Sequence, residues 1–184
     1  MVQSLSLASI PVAGAFLVDS VVRSDDRGYF GRAWCLREFS DAGINFVPVQ
    51  ANIGSSLRKA TLRGMHFQVP PAPEAKLVRC TRGALFDVLI DLRPESPTYL
   101  RWYGVELTAD NCRMLYVPEG CAHGYQTLED NTDLYYMTSQ FFAPAAARGV
   151  RFDDPAIGIC WPLAPTSISE QDRNWPFITE KGSL

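Results

Sequence analysis

The chain reads as an all-β domain of the sandwich or barrel type. Segments rich in β-branched and aromatic residues recur at spacings of about 8–12 residues, parted by Gly, Pro and Asn. No long helical periodicity is visible before the last stretch of about 20 residues. The length of 184 residues and a hydrophobic content of 47% suffice for one full-sized core. A single domain over residues 1–184 is expected, with an N-terminal strand region over about 1–24 and a C-terminal loop and helix tail from about 144 to 184.

The elements follow in order. Ala15-Phe-Leu-Val-Asp-Ser-Val-Val22 is rich in strand formers. Ser24-Asp-Asp-Arg-Gly28 has turn chemistry, and Tyr29 to Trp34 is expected as a short strand. Cys35 to Ala42, followed by Gly43, predicts a short helix. Phe46 to Ile53 returns to extended structure, and Gly54 to Lys59 reads as a polar, mobile connector. Thr61 to Gln68 is a strand. Val69-Pro-Pro-Ala-Pro-Glu74 is a rigid loop, because proline cannot continue a ladder. Lys76–Thr81, Ala84–Leu92, Tyr99–Leu107, Met114–Val117, Gly124–Leu128 and Asp133–Thr138 complete the strand set. From Pro144 the chain is loop-like until Ser167-Ile-Ser-Glu-Gln-Asp172, where a serine can cap a short terminal helix.

The totals exclude several function classes. A net charge of −3 argues against nucleic-acid binding through bulk electrostatics. No apolar run approaches the ~20 residues of a membrane span. Met1 to Val18 lacks a basic start, so no signal peptide is expected. The five cysteines, Cys35, Cys80, Cys112, Cys121 and Cys160, are odd in number, widely spaced and without a CxxC. They read as reduced thiols of a cytoplasmic protein. Cys121, beside the second histidine, is a candidate nucleophile set against the plainer reading of a small buried residue.

The chemistry centres on two histidines, the only ones in the chain. His66 lies in Thr61-Leu-Arg-Gly-Met-His-Phe-Gln68. His123 lies in Pro118-Glu-Gly-Cys-Ala-His-Gly124, and Pro118-x-Gly-x-x-His123 resembles the second signature of the cupin fold, a double-stranded β-helix or jelly roll. Metal-binding cupins carry His-x-His and a glutamate in their first signature, where this chain has His66-Phe-Gln68. Two imidazoles without clustered carboxylates make a poor transition-metal site, so no metal is expected. A free imidazole can instead take a proton when a partner orients it, and Asp172 is a candidate partner. Tyr136 is a candidate proton donor or a core aromatic. Lys76, facing inward, would stabilise an oxyanion. Arg27, Arg63 and Asn52 could hold a phosphate.

A longer set of motifs runs in order: Arg27-Gly-Tyr-Phe30, Gln50-Ala-Asn52, Leu62-Arg-Gly-Met-His-Phe-Gln68, Ala75-Lys76, Gly83-x-x-Phe-Asp-Val-x-x-Asp-Leu-Arg93, Glu119-Gly-Cys-Ala-His-Gly124, Tyr136, Asp153-Asp-Pro155, Trp161-Pro162 and Ser169-Glu-Gln-Asp172. With these, residues from about Val18 to Phe177 resemble the dTDP-4-dehydrorhamnose 3,5-epimerases and related nucleotide-sugar cupins. The resemblance implies an all-β cupin jelly roll with short flanking helices. It implies His66 as general base, Asp172 as its carboxylate partner, Tyr136 as general acid and Lys76 as the cation on the enolate. Arg27, Phe30, Gln50, Asn52, Arg63, Lys76 and His123 fall on substrate-binding positions, and Phe142 falls where an aromatic ring stacks on the nucleobase. It also implies a nucleotide-sugar partner, a homodimer with crossed N-terminal strands, and no metal or redox cofactor.

Three residues depart from the family pattern. Arg32 and Ala147 stand where glutamates are usual, and Gln171 stands for a lysine. All three concern substrate binding, not proton transfer. The alternatives the residues leave open are an epimerase acting at one carbon only, on a related nucleotide sugar, and a sugar-binding cupin without turnover. A third is a metal-dependent cupin.

Overall fold

The structure, a computed structural model, describes residues 4–178. Its strands are β1 (Leu5–Ser9), β2 (Phe16–Ser20), β3 (Arg23–Asp25), β4 (Gly28–Phe30), β5 (Gln50–Ser56), β6 (Leu62–Gln68), β7 (Lys76–Arg82), β8 (Ala84–Asp91), β9 (Trp102–Thr108), β10 (Arg113–Val117), β11 (Cys121–Thr127), β12 (Thr132–Thr138) and β13 (Ala147–Gly149). Two short helices flank them, α1 (Leu36–Asp41) and α2 (Glu170–Arg173). A six-stranded sheet in the order β1-β2-β10-β7-β12-β5 faces a five-stranded sheet in the order β13-β6-β11-β8-β9, and β3 and β4 form a separate hairpin. Neighbouring strands pair antiparallel throughout. This is the jelly roll that the sequence predicts.

Strand alternation explains why both sheets are covered on both faces. Inward residues of the six-stranded sheet (Val78, Cys80, Leu115, Val117, Leu134) meet inward residues of the five-stranded sheet (Leu85, Leu89, Leu107, Cys121, Tyr125) in one core. The odd residues out, such as Leu77, Met114 and Tyr116, point the other way and pack under Phe39 of α1 and Phe46. Phe39 and Phe46 are fully buried, and each such side chain stabilises the fold by about 1.5–3 kcal/mol. The outer face of the five-stranded sheet (Met65, Val88, Ile90, Ala122) is covered by the C-terminal segment through Val150 and Ile157. That covering carries the chain back to β6, where α2 ends up beside His66.

Some local expectations need correction. The strand expected over Tyr29–Trp34 ends at Phe30, because Gly28 to Phe30 pairs only with Arg23 to Asp25 in a tight hairpin. The connector expected over Gly54–Lys59 is ordered strand as far as Ser56, with Ser56 opposite Thr132 and Gly54 opposite Leu134. Its polar residues serve the interior: Ser56 is buried and its hydroxyl accepts from Arg63 Nε at 3.4 Å. A side chain at Gly54 would come within 3.2 Å of the Tyr125 hydroxyl. The tail is not all loop, since β13 pairs with β6. The helix expected near Ser167 is a single turn whose cap is Ser169, with the Ser169 hydroxyl accepting from Asp172 N at 3.0 Å.

Candidate active site

One end of the space between the sheets is open. A cavity of about 650 Å³ is walled by Arg63, His66 and His123 on the five-stranded sheet and by Ile53, Lys76 and Tyr136 on the six-stranded one, with Ser169 and Asp172 at its rim. Tyr125 and Leu134 belong both to its lining and to the inter-sheet core, so the core is its floor. A second cavity of about 390 Å³ shares His66, Lys76, Tyr136 and Gln171 with the first and adds Gln50, Asn52 and Phe142.

His66 and Asp172, 106 residues apart, are in direct contact. His66 Nε2 lies 2.6 Å from Asp172 Oδ1. The second carboxylate oxygen accepts from Gly64 N at 3.2 Å, and Trp175 Nε1 donates to Oδ1 at 3.3 Å. Asp172 is buried while the His66 side chain is 45% exposed. Burial pushes the Asp172 carboxyl upward, but the bond and charge of His66, the Gly64 amide and Ser169 outweigh it and hold the carboxyl below its ordinary value. An ionised Asp172 accepts and cannot donate, so the His66 proton sits on Nε2 and Nδ1 keeps its lone pair. The backbone is shaped for this approach. Gly64 has φ +118°, and a side chain there would meet Gly124 Cα at 2.6 Å and His123 O at 2.8 Å.

His123 is held by a second buried carboxylate. Its Nε2 lies 2.8 Å from Asp87 Oδ1, and Asp87 is fully buried. Burial raises the Asp87 carboxyl above its usual value, opposed by His123 and Lys76. Lys76 is buried too, within 3.0 Å of Glu74 Oε1, and it donates to His66 O at 3.2 Å. The Tyr136 hydroxyl is pushed upward by burial, by the Glu74 carboxylate and by Tyr125, so it is a phenol at neutral pH. Because Tyr136 and His66 belong to facing sheets, a ring bound between them meets an imidazole on one side and a phenol on the other.

Most of the expected residues meet here, and some do not. His66, Tyr136, Asp172, Lys76, Arg63 and His123 line the first cavity, and Gln50, Asn52 and Phe142 line the second. Gln50 bridges two of them, donating to Asn52 Oδ1 at 3.2 Å and accepting from Phe142 N at 3.2 Å. Arg27 and Phe30 lie on the β3–β4 hairpin, which lines neither cavity; Arg27 pairs with Asp25 and Phe30 is 77% exposed. Arg32 lies within 3.9 Å of Glu38 and donates to Ser4 Oγ at 3.3 Å. Ala147 and Gln171 do border the second cavity. Cys121 is a core residue and not a nucleophile, because burial pushes its thiol up to about 12. Among the described residues, no group of three or more His, Cys, Asp or Glu side chains is arranged to hold a metal ion.

Sequence reasoning passed over Asp87, Glu74, Tyr125 and Trp175. Asp87 carries a signal: in Leu85, Asp87, Leu89 a charge falls on the inward face of an otherwise apolar strand, and a buried carboxylate needs a partner. Trp175 carries only its spacing, three residues beyond Asp172.

The family model described as dTDP-4-dehydrorhamnose 3,5-epimerase matches residues 9–180. The chain belongs to this family. It is 42% identical over 183 residues to the dTDP-4-dehydrorhamnose 3,5-epimerase of Sinorhizobium fredii, covering 97% of this chain and 89% of that one. Its fold matches the crystal structure of the enzyme of that name from Bacillus anthracis with TDP and PPi bound, at a TM-score of 0.91 and 34% identity, over 95% of this chain and 99% of that one. A 3'-monoepimerase from Streptomyces bikiniensis in complex with dTDP-quinovose also matches, at a TM-score of 0.84 and 34% identity, over 91% and 85% of the two chains. The chain is thus an isomerase of the epimerase type, and its cupin fold is that of the family.

Proposed function

We propose that the chain catalyses metal-independent 3,5-epimerisation of a nucleotide-linked 4-keto-6-deoxyhexose, converting dTDP-4-dehydro-6-deoxy-D-glucose to dTDP-4-dehydro-L-rhamnose. The observation that carries this reading is the His66–Asp172 contact of 2.6 Å facing Tyr136 across the cavity. A 4-keto group acidifies the hydrogens on C3 and C5, because loss of either gives an enolate. His66 Nδ1 takes the C3 proton while the C–H electron pair moves into the ring and onto the C4 oxygen. The Lys76 ammonium stabilises that oxyanion. Tyr136 returns a proton to C3 from the opposite face, which inverts the centre; the imidazolium then gives its proton to solvent, the phenolate takes one up, and the sequence repeats at C5. Asp172 stabilises the imidazolium formed at each step. Nothing in this scheme calls for a metal or a redox cofactor.

Gln50, Asn52 and Phe142 on the second cavity, with Arg63 and His123 on the first, would hold the nucleotide and sugar. Arg27 and Phe30 fit this scheme as residues lent to a second copy. Their hairpin carries a cation and an exposed ring away from this chain's own cavity, which supports a homodimer with exchanged N-terminal segments. We place the enzyme in the cytoplasm, which its five unpaired thiols support.

The test is solvent exchange. The protein is incubated with dTDP-4-keto-6-deoxyglucose in D2O and the C3 and C5 hydrogens are followed by proton NMR beside a His66→Ala control. Exchange at both carbons, absent in the control, is the expected result. Exchange at one carbon alone would assign the chain to single-centre epimerases, a reading favoured by its likeness to the Streptomyces bikiniensis 3'-monoepimerase. Exchange at neither would sink the assignment to this substrate.

A further inference from the structure

Asp172 does not serve His66 alone. The oxygen that meets His66 Nε2 at 2.6 Å also accepts from Trp175 Nε1 at 3.3 Å. The indole stands edge-on to the imidazole, with ring centroids 6.3 Å apart and planes at 71°. Room for it is made at Gly149, where a methyl group would collide with the indole at Cε2, Nε1 and Cδ2. Gly149 is the cross-strand partner of His66. The strand beside His66 therefore keeps a position empty for the indole; α2 carries Asp172, and Trp175, just beyond its end, donates to the carboxylate oxygen that meets His66.

We propose that Trp175 is a positioning residue for the His66–Asp172 pair: its N–H shares the carboxylate's charge and its edge fixes the imidazole plane. This deepens the proposed function and rests on the reading of His66 as proton acceptor. The physical reason is competition at one oxygen. A carboxylate that satisfies two donors draws each less strongly. The indole never ionises, so it takes a share of the charge that would otherwise pull a second proton onto His66. The other ionisable groups near the imidazole are Lys76 with Glu74 on the β7 side, Tyr136 on β12 and His123 on β11. Tyr125, also on β11, Arg63 on its own strand and Arg148 on β13 complete the set. None of them bonds to the indole, and Trp175→Phe and Gly149→Ala change their surroundings differently, so a shift common to both variants reports the indole.

Two variants remove the interaction by different routes. Trp175→Phe deletes the donor, and Gly149→Ala pushes the intact indole away. With only two histidines in the chain, the ring nitrogens can be followed by 15N NMR against pH, with a His66→Asn sample for assignment. The expected result is the same in both variants. The protonation midpoint of His66 and the acid limb of the C3 exchange rate move up together by about half a pH unit, about threefold in the equilibrium. Maximal exchange falls several-fold. A midpoint within about 0.1 unit of wild type in a folded variant makes Trp175 a packing residue and overturns the proposal. If neither variant folds, the wild-type protein decides, because the Trp175 indole proton resonance must titrate together with His66; a flat trace overturns the proposal. The midpoint is read without substrate. A shifted midpoint in a protein that exchanges nothing would leave the positioning role standing and remove the epimerase reading, and normal exchange with an unshifted midpoint would do the reverse.

Discussion

Replacing Asp172 by Asn tests the proton-transfer scheme most directly, because the structure leaves the amide no harmless orientation. One carboxylate oxygen accepts from His66 and Trp175 and the other from Gly64 N. If the oxygen of the new amide faces His66, its NH2 opposes the Gly64 amide, a buried donor against a donor. If the NH2 faces His66, it donates to Nε2 and drives the ring proton to Nδ1, which removes the lone pair the proposed proton transfer uses. The charge is lost in both cases. In the proton-transfer step an imidazolium forms beside the carboxylate, with charge centres about 4 Å apart. At an effective dielectric constant near 20 that attraction is about 4 kcal/mol, which corresponds to a loss of about 10³-fold in the rate of C3 exchange. The assay is deuterium incorporation at C3 and C5 under saturating substrate, with a thermal melt to show that the variant is folded. The loss is expected in kcat with little change in KM, because the Asp172 oxygens are engaged by His66, Gly64 N and Trp175 and not by substrate. A folded variant that exchanges within about tenfold of wild type would refute the argument that Asp172 orients and stabilises His66.

The other predictions follow from single contacts. Tyr136→Phe is expected to lower formation of inverted product by about 10²-fold or more while His66 still washes deuterium into C3; NMR analysis of product and recovered substrate separates the two, and equal loss of both would count against Tyr136 as the second proton donor. Burial opposes ionisation of Asp91, yet Arg93, Ser96 and Thr98 hold it at about 2. Its folded value lies below its unfolded value, so its contribution to stability is full above about pH 4 and is lost as pH falls toward 2. Asp91→Asn should flatten that part of the stability curve measured by urea titration and cost about 3 kcal/mol at neutral pH. Cys80 and Cys121, pushed to about 11 and about 12 by burial, should resist iodoacetamide at about pH 8 while the exposed Cys160 reacts, a difference read by mass spectrometry of peptides. Gly64→Ala, at φ +118° and 2.6 Å from Gly124 Cα, should destabilise by about 3 kcal/mol or more and lower the melting temperature accordingly.

The sequence was legible where a local pattern has a local cause. Alternation in Lys76–Thr81 and Asp133–Thr138 marks strands because successive side chains turn to opposite faces of a sheet, and both segments are strands in the structure. Cys35 to Ala42 was legible as a helix for the same reason, since Phe39 has a core to fill. Gly54 to Ser56 was not. Small polar residues read as a loop when their partners cannot be seen, and a side chain at 54 would crowd the hydroxyl of Tyr125 on the opposite sheet. The site divides in the same way. His66 and His123 stood out as the only imidazoles, but no pattern in the sequence puts Asp172 within 2.6 Å of His66. That contact depends on the C-terminal segment folding back over Met65, Val88 and Ile90 to bring α2 to β6.

The buried carboxylates carry the more general argument. Asp87, Asp91 and Asp172 are all nearly inaccessible, and each is matched to a cation or imidazole: Asp87 to His123, Asp91 to Arg93, Asp172 to His66. Desolvating a charge costs several kcal/mol unless partners replace its water, so each pair constrains where its elements can sit. The Asp91 pair does only that. Arg93 donates to Ala13 O at 2.6 Å and Thr98 Oγ1 accepts from Ala13 N at 3.0 Å, which ties the loop after β8 to the β1–β2 turn. The two histidine pairs stand at the open end, where the partner of each carboxylate faces a cavity. There the buried carboxylate of each pair is poorly screened by water, so its charge counts for more in a reaction at the imidazole in front of it. Asp91 lines neither of the two cavities around His66 and has an Arg that cannot give up its proton; Asp172 has a His that can. The difference between a strut and a candidate catalytic pair in this fold is the protonation chemistry of the partner and the space in front of it.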